Sequence, residues 1–209
     1  MTVVFVAGTG TEVGKTWVTV RLVAELQARG HEVRARKPAQ SFAPDELGQT
    51  DADLLSGATG EPPTTVCAAH RWYETPMAPP MAAAVLGRAP FTIADLVGET
   101  TDTTTGGLTV VEGAGGPRSP LAGDGDNVDF ARAVGARLVV LVADAGLGTI
   151  NAVRLSTEAL TGFETVVMLN RLHPETDLHR RNRDWLVTAG YDVVVEISAL
   201  ADRLLARLS

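Results

Sequence analysis

The segment from Gly8 to Thr16 has the residue types and spacing of a phosphate-binding loop. Apolar residues before it predict a strand and a helical pattern starts at Lys15, so the loop GTGTEVG leads into a helix N-terminus. Backbone N–H groups in this setting bind phosphate oxygens. The lysine reaches the β- and γ-phosphates, and the hydroxyl that follows it ligates magnesium. The usual motif has glycine where this chain has Thr9, and the glycines stand at positions 8 and 10 instead.

Three acidic residues are candidates for holding the magnesium ion that accompanies bound phosphates. Glu112 ends the apolar run in LTVVEGAGG, where the following glycines allow a close approach of the backbone to a ligand. Asp51 and Asp53 lie in DADLL, at the start of a predicted helix. Carboxylate oxygens are common ligands of magnesium, but either aspartate could instead be an ordinary acidic residue at a helix N-terminus.

Two further polar residues come at the ends of predicted strands. Lys37 ends the second apolar run and could face the phosphates beside Lys15. Asn170 follows the run that ends at Leu169, and its amide offers both a donor and an acceptor to the edge of an adenine. Taken alone, each is equally compatible with an ordinary polar residue at a strand end.

Short apolar runs alternate with helical patterns along most of the chain. Continuous Val and Leu runs are typical of strands buried on both faces, so the pattern predicts an α/β fold with a doubly wound, mostly parallel sheet flanked by helices. The predicted strands cover residues 3–7, 33–37, 108–111, 138–143, 165–169 and 193–197. The predicted helices cover residues 15–29, 128–134, 150–161, 178–189 and 200–208.

The proline-rich stretch 38–107 departs from this alternation. We expect it to pass over the strand ends, with helices at 51–58 and 81–86, and we expect one domain spanning 1–209. No internal repeat is visible in the sequence.

Composition argues against several classes of protein. The 209 residues carry 18 Lys and Arg against 25 Asp and Glu, a net charge of −7, whereas non-specific nucleic-acid binders normally have a basic excess. The single cysteine, Cys67, excludes an internal disulfide framework and a zinc site built from several cysteines. No apolar run reaches the roughly 20 residues of a membrane span, and no signal-peptide pattern precedes the first strand, so we expect a cytoplasmic protein.

Six motifs occur together and in order, and as a set they are much more specific than any one of them. They are GTGTEVGKT at 8–16, RKPAQS at 36–41, VEGAGG at 111–116, NVDFA at 127–131, LGTIN at 147–151 and NRL at 170–172. The set resembles the dethiobiotin synthetase family, of the P-loop NTPase type, over nearly the whole chain. The loop with threonine at position 9 is that family's own variant.

The resemblance implies an ATP-dependent ligase of biotin biosynthesis. Its substrate would be 7,8-diaminononanoate, of which one amine takes up carbon dioxide as a carbamate. The carbamate would attack the γ-phosphate of ATP, and the second amine would then close the ring to give dethiobiotin, ADP and phosphate. The resemblance also implies magnesium as cofactor and a homodimer with the substrate at the subunit interface.

The resemblance also assigns roles to individual residues. The implied catalytic residues are Lys15, Lys37, Thr11 and Ser41. The implied nucleotide-binding residues are Glu12, Val13, Gly14, Lys15, Thr16, Glu112, Gly113, Ala114, Gly115, Asn170, Arg171, Ser198, Ala199 and Leu200. The implied magnesium ligands are Thr16, Glu112 and Asp51, with Asp51 preferred over Asp53. The implied substrate-binding residues are Ser41 together with Gly148, Thr149, Ile150 and Asn151 of the partner subunit.

Four residues depart from the family pattern. Pro117 and Arg118 stand where a bulky apolar residue is frequent, which could change the wall of the substrate pocket. Ser198 replaces a frequent proline. Trp17, directly after the phosphate loop, is large for a position that packs on the sheet.

Other readings of the same motifs remain open. The main alternative is a partitioning-type P-loop ATPase that dimerises and binds partners, but such proteins carry a second lysine where this chain has Thr9 and Gly10. An amidoligase would need a glutaminase domain, for which 209 residues leave no room. A paralogue without turnover is disfavoured by the retention of Lys15, Lys37 and Glu112.

Overall fold

A parallel six-stranded sheet forms the centre of the protein, in a computed structural model that describes residues 2–43, 48–101 and 107–208. The strands are β1 (Thr2–Gly8), β2 (Val33–Arg36), β3 (Gln40–Ser41), β4 (Trp72–Tyr73), β5 (Leu108–Glu112), β6 (Pro120–Ala122), β7 (Gly125–Asp126), β8 (Leu138–Asp144), β9 (Glu164–Asn170) and β10 (Val193–Val194). The helices are α1 (Lys15–Ala28), α2 (Asp51–Thr59), α3 (Pro63–Val66), α4 (Pro79–Val85), α5 (Ile93–Thr100), α6 (Asn127–Ala133), α7 (Thr149–Ala159), α8 (Asp177–Thr188) and α9 (Ile197–Leu208).

The sheet has the strand order β10-β9-β8-β1-β5-β2, and every neighbouring pair is parallel. The order reverses at β1, which has β5 on one side and β8 on the other. In doubly wound sheets, ligands bind beyond the carboxyl ends of the strands at such a switch point. The predicted α/β class with a mostly parallel sheet is confirmed.

Both faces of the sheet are buried, which explains why its strands are continuously apolar rather than alternating. Phe5 of β1 packs on one face against Phe130 of α6, with ring centroids 6.0 Å apart. Val4 and Val6 point to the other face and share a core with Leu22 of α1. Across the described residues, no helix combines the length and apolarity needed to cross a membrane.

The structure corrects the predicted boundary between the last strand and the last helix. Only Val193–Val194 of the predicted strand 193–197 pair with β9, and α9 begins at Ile197, three residues earlier than predicted. The Glu196 carbonyl accepts a hydrogen bond from the Leu200 N–H at 3.0 Å. Ile197, at the end of this apolar run, therefore belongs to the first turn of α9 and not to the strand.

The stretch after β2 leaves the sheet one residue earlier than predicted. β2 ends at Arg36, because the Lys37 N–H turns away and donates to the Val66 carbonyl at 2.8 Å. Helices α2 and α4 occupy the two stretches that were predicted to be helical. Residues 44–47 and 102–106 of this stretch lie outside the described part of the chain.

The buried Cys67 yields a test of this packing. Burial raises the pKa of the Cys67 thiol to about 12, and the residue is only 1% exposed. Because the thiolate is the reactive form, we expect almost no reaction with a disulfide reagent such as DTNB at pH 8 in the native protein. One thiol per chain should react after unfolding in guanidinium chloride, and rapid labelling of the native protein would contradict the burial.

Candidate active site

A cleft at the carboxyl ends of β1, β2 and β5 collects residues from several separate motifs. Its cavity has a volume of about 560 Å³. The residues that line it are Thr11, Glu12, Gly14, Lys15, Thr16, Trp17, Lys37, Ser41, Asp51, Ala114, Gly115 and Arg171. The fold therefore brings together the predicted phosphate loop, both predicted lysines and Asp51, whereas Glu112 and Asp53 are not among the lining residues.

The phosphate loop is shaped by a glycine and tied to a neighbouring strand. Gly14 has φ +87°, and a Cβ atom there would overlap the side-chain amide of Asn170. That amide donates to the Val13 carbonyl at 3.0 Å, so the end of β9 supports the loop. This bond uses one of the two N–H groups of the Asn170 amide, and the predicted contact of Asn170 with adenine stays a prediction. Glu12 adopts φ 58°, an uncommon left-handed conformation for a residue other than glycine.

The two lysines of the cleft have different partners. The Lys15 ammonium donates to the Gly10 carbonyl at 3.0 Å. Burial, with the positive charge of Lys37 as the second cause, lowers the pKa of Lys15 to about 8. Burial alone would also lower the pKa of Lys37, but the charges of Asp51 and Glu112 outweigh it and raise that pKa above its ordinary value. Lys37 is thus a fixed cation, whereas Lys15 is short of anionic partners.

Asp51 and Glu112 contact the Lys37 ammonium, and the Thr16 hydroxyl lies against both carboxylates. Its Nζ lies 2.6 Å from Asp51 Oδ2 and 2.7 Å from Glu112 Oε1. The Thr16 hydroxyl oxygen lies 2.7 Å from Asp51 Oδ1 and 2.9 Å from Glu112 Oε1. Burial would raise the pKa of Asp51, but the charge of Lys37 and the hydrogen bonds from Lys37 and Thr16 hold it below its usual range. We call Lys37, Asp51, Glu112 and Thr16 the charged cluster.

The charged cluster offers oxygen ligands to a magnesium ion. Glu112 is fully buried, and its Oε2 atom has no hydrogen-bond partner in the described structure. A buried, unpartnered carboxylate oxygen beside a second carboxylate and a hydroxyl fits the oxygen ligands that magnesium prefers. Across the described residues, no group of three or more His, Cys, Asp or Glu is placed to hold a metal ion.

The capping of α2 separates the roles of its two aspartates. Asp53 Oδ2 accepts a hydrogen bond from the Thr50 N–H at 2.9 Å, and the Thr50 hydroxyl oxygen accepts one from the Asp53 N–H at 3.3 Å, which together form a capping box. This side chain is therefore engaged at the helix N-terminus, while Asp51 turns into the cleft. Gln40 Oε1 also accepts a hydrogen bond from the Ala52 N–H at 2.9 Å, which fixes the first turn of α2. The geometry favours Asp51 over Asp53 as the cleft ligand.

Asn127 organises the loop after Glu112, and the sequence analysis gave it no role. Its Nδ2 atom donates to three loop carbonyls, and its Oδ1 atom accepts from the Ala114 N–H at 3.1 Å. A Cβ atom on Gly113 would overlap both Asn127 and Phe5, so only glycine fits there. The signal was available, because Asn127 opens the NVDFA motif that contributed to the resemblance. Gln40, inside the motif RKPAQS, was missed in the same way.

A second cavity of about 430 Å³ adjoins the cleft and shares five lining residues with it, which are Thr11, Glu12, Ser41, Ala114 and Gly115. Its remaining lining is largely apolar and comprises Phe42, Pro76, Met77, Ala78, Pro79, Ser119 and Pro120. The Ser41 hydroxyl donates to the Met77 carbonyl at 2.6 Å, so the Ser41 oxygen faces the cavity region as an acceptor.

The departure at Pro117 and Arg118 does not alter the wall of this second cavity. Neither residue is among those that line it, and the Arg118 guanidinium pairs with Asp126 at 2.9 Å. The concern that these residues reshape the substrate pocket is not supported by their positions.

A third cavity of about 380 Å³ lies beside the phosphate loop, at the ends of β9 and β10. Its lining comprises Gly14, Trp17, Met168, Asn170, Arg171, Leu172, Val195, Glu196 and Ile197. Ser198, Ala199 and Leu200 were predicted to flank the nucleotide, but they are not in this lining, and Leu200 is fully buried in the core. The earlier start of α9 places Glu196 and Ile197 there instead.

Gly148, Thr149, Ile150 and Asn151 lie outside all three cavities of their own chain. Gly148 has φ 93° and precedes α7, while the neighbouring Leu147 side chain is 92% exposed. At this helix N-terminus Gly148 and Asn151 are exposed, whereas Thr149 is buried.

The turn before this segment is fixed by hydrogen bonds from α8 to two backbone carbonyls. Asn182 of α8 is buried, and its Nδ2 atom donates to the Ala145 and Gly146 carbonyls at 2.9 Å each. This contact fixes the turn that leads into α7.

Comparison with known proteins identifies relatives over most of the chain. A family model described as an AAA domain matches residues 2–197. The chain is 40% identical over 178 residues to a protein named ATP-dependent dethiobiotin synthetase BioD from Methylobacterium nodulans, an alignment covering 79% of this chain and 75% of that protein. A protein of the same name from Rhodococcus erythropolis is 39% identical over 194 residues, covering 90% and 84% respectively.

Among solved structures, the fold is similar to that of cobyrinic acid a,c-diamide synthase from Mycobacterium smegmatis, solved with a bound ATP analog and magnesium. The TM-score is 0.56, and the alignment covers 100% of this chain and 96% of that one. The two sequences are only 15% identical, so the likeness concerns the fold alone.

The charged cluster predicts opposite effects for the two lysines on stability. Lys37→Met leaves the buried Glu112 without its cation, which should lower the free energy of unfolding by about 3–5 kcal/mol. Lys15→Met removes a buried ammonium whose one hydrogen bond is to a carbonyl, so it should be neutral or stabilising. Urea unfolding in EDTA at pH 7 measures both values. Equal losses for the two variants would contradict the arrangement of the cluster.

Proposed function

Because the chain belongs to the ATP-dependent dethiobiotin synthetase family, we propose that the cleft carries out that family's ring-closing reaction with the residues described above. The protein is a ligase of biotin biosynthesis that uses ATP. Its small-molecule substrates are 7,8-diaminononanoate, carbon dioxide and ATP, and its products are dethiobiotin, ADP and phosphate.

The observation that carries the assignment of the site is that two ammonium groups and the Asp51 carboxylate line one cleft, with the buried Glu112 carboxylate against the Lys37 ammonium. The reaction brings a carbamate anion up to a triphosphate, so negative charge must be neutralised and the two reactants must be aligned. Lys15 follows the phosphate loop and makes no salt bridge within the described residues, which suits it to phosphate oxygens. Lys37 lines the same cleft and is slightly more buried than Lys15.

The reaction proceeds through three bond-forming steps. One amine nitrogen attacks carbon dioxide and loses a proton, which gives the carbamate. A carbamate oxygen attacks the γ-phosphorus while the bond to the ADP oxygen breaks, which gives a mixed carbamic–phosphoric anhydride. The second amine then attacks the carbamoyl carbon, loses a proton and expels phosphate as the ring closes.

We assign the residues at the carbamate end as follows. Lys37 stabilises the carbamate and the transferring phosphoryl group, and Thr11 donates a hydroxyl hydrogen bond to the carbamate. Ser41 was expected to donate as well. Its proton is engaged by the Met77 carbonyl, so we assign Ser41 as an acceptor for an N–H of the substrate. The apolar second cavity then receives the aliphatic chain of the substrate.

The nucleotide would lie across the phosphate loop. Glu12, Val13, Gly14, Lys15 and Thr16 would contact its phosphates, and the loop from Gly113 to Gly115 would approach them from β5. The third cavity, which includes Asn170 and Arg171, would receive the base. This extends the expected nucleotide site from Ser198 back to Glu196 and Ile197.

Magnesium would be held by Thr16, Asp51 and Glu112. The unpartnered Oε2 atom of Glu112 and the orientation of Asp51 support this set. When bound with ATP, the ion would neutralise charge on the phosphate oxygens. The carboxylates already hold Lys37 in place, so the same pair would orient both cations of the site.

We also infer a cytoplasmic homodimer in which Gly148, Thr149, Ile150 and Asn151 complete the partner's substrate site. The support is their position at a partly exposed helix N-terminus, where free N–H groups suit a carboxylate, and the strongly exposed Leu147 beside them. The alternative of a partitioning-type ATPase switch is not favoured, because the relatives are named as dethiobiotin synthetases.

The first experiment measures phosphate release with magnesium, ATP and bicarbonate, with and without 7,8-diaminononanoate. We expect release to depend on the diamine, and mass spectrometry to detect dethiobiotin in proportion to it. Omission of bicarbonate with degassed buffer is the control. Slow release that ignores the diamine would contradict the proposed reaction.

If each substrate site is built from both subunits, dimers that combine two inactive variants should regain activity. Lys37→Ala should be inactive because it disrupts the charged cluster. Asn151→Trp should be inactive because the larger side chain blocks the segment 148–151. Both variants are assayed with magnesium present. A mixed dimer has one site with Lys37 from one chain and an unaltered segment from the other. Random exchange should therefore restore about a quarter of the wild-type activity per chain.

Subunit exchange must be shown separately, for example by native mass spectrometry of chains with different tags. Exchange without recovered activity would contradict the shared site. Lys37→Ala should still bind ADP, because Lys15 and the loop amides remain.

A further inference from the structure

Trp17 occupies the junction between the cleft and the third cavity. It lies in the first turn of α1, directly after Lys15 and Thr16. The two cavities share just three lining residues, which are Gly14, Trp17 and Arg171. Contrary to the expectation that position 17 packs on the sheet, its side chain is 51% exposed.

The indole is held by a neighbouring cation and not by the core. The guanidinium carbon of Arg21, one helical turn further along, lies 5.4 Å from the centre of the Trp17 ring. This distance is within the range of a cation–π contact, which favours one orientation of the ring. The Trp17 ring therefore stays at the junction of the two cavities, although it is not part of the apolar core.

The third cavity has the character of a slot for a planar base. Met168, Leu172, Val195 and Ile197 give it apolar walls, while Asn170 and its neighbours add polar groups at one end. Pockets that combine apolar walls with few polar groups are typical of small-ligand sites. A nucleotide whose phosphates lie at Lys15 and Thr16 has to pass the junction before its base can enter this slot.

We propose that Trp17 stacks on the base of the bound nucleotide and contributes affinity without selecting which base is bound. Every base has a π-face, so stacking on an aromatic side chain tolerates base identity. The inference rests on the proposed function only to the extent that a nucleotide occupies the phosphate loop. It adds a binding residue whose side chain the family motifs do not specify.

The first test is equilibrium binding by calorimetry with magnesium present. Trp17→Val should weaken the binding of ADP, GDP and CDP by similar factors of about fivefold or more. Trp17→Phe should recover most of the lost affinity, because it keeps an aromatic face. Tripolyphosphate has no base, so its binding should be the same in wild type and in Trp17→Val.

Trp185 provides a matched control. It is 42% exposed and has Arg154 at 6.0 Å over its ring, but it lies on α8 and outside both cavities. Trp185→Val should bind all these ligands like the wild type. ADP should also change the tryptophan fluorescence of the wild type and of Trp185→Phe, but not that of Trp17→Phe.

Three results would overturn the inference. They are unchanged nucleotide affinity in Trp17→Val, an equal loss of tripolyphosphate binding, which would mean that the indole supports the loop, and an undiminished fluorescence response in Trp17→Phe. Nucleotide binding that depends on Trp17 without dethiobiotin formation would contradict only the proposed function. A wild-type chain that binds no nucleotide would contradict both.

Discussion

The buried contact between the Lys37 ammonium and the Glu112 carboxylate, 2.7 Å apart, is the constraint on which the rest of the site depends. Two charges removed from water cost several kcal/mol each, and they are tolerated only when they are well paired. Asp51 and Thr16 supply the remaining partners, so β5, the residue after β2, α1 and α2 must meet at one point. The arrangement does little for stability, but it places fixed charge where anionic reactants have to meet.

Side chains outside the charged cluster hold its members in place. The capping box of Thr50 and Asp53 starts α2 at the residue that has to face inwards, and Gln40 binds the next backbone N–H. Asn127 donates hydrogen bonds to three carbonyls of the loop after Glu112. Because Gly113 has no side chain, Asn127 can lie close to the backbone there. Each contact is an ordinary hydrogen bond, but together they determine the orientation of the Asp51 and Glu112 carboxylates.

The sequence predicted the fold and the phosphate loop well, because both depend on local patterns. Apolar runs reveal buried parallel strands, and the phosphate loop is one contiguous segment between a strand and a helix. Contacts between distant segments were less accessible. The spacing of Thr50 and Asp53 is that of a capping box and would have separated Asp53 from Asp51, but it was not used. The boundary between the last strand and the last helix was wrong because a strand and a helix turn share the same apolar letters.

The strand order also has a consequence for how the site comes into existence. β5 lies between β1 and β2, so the strands that precede the phosphate loop and Lys37 are joined only through β5, which begins about seventy residues after β2 ends. Thr16 and Glu112, which are in contact, are 96 positions apart in the chain. Such a contact requires the entropy of closing a large loop to be overcome. A chain that has emerged from the ribosome only as far as α2 therefore carries the phosphate loop and Lys37 but lacks Glu112, and the charged cluster is complete only once β5 has paired with both strands.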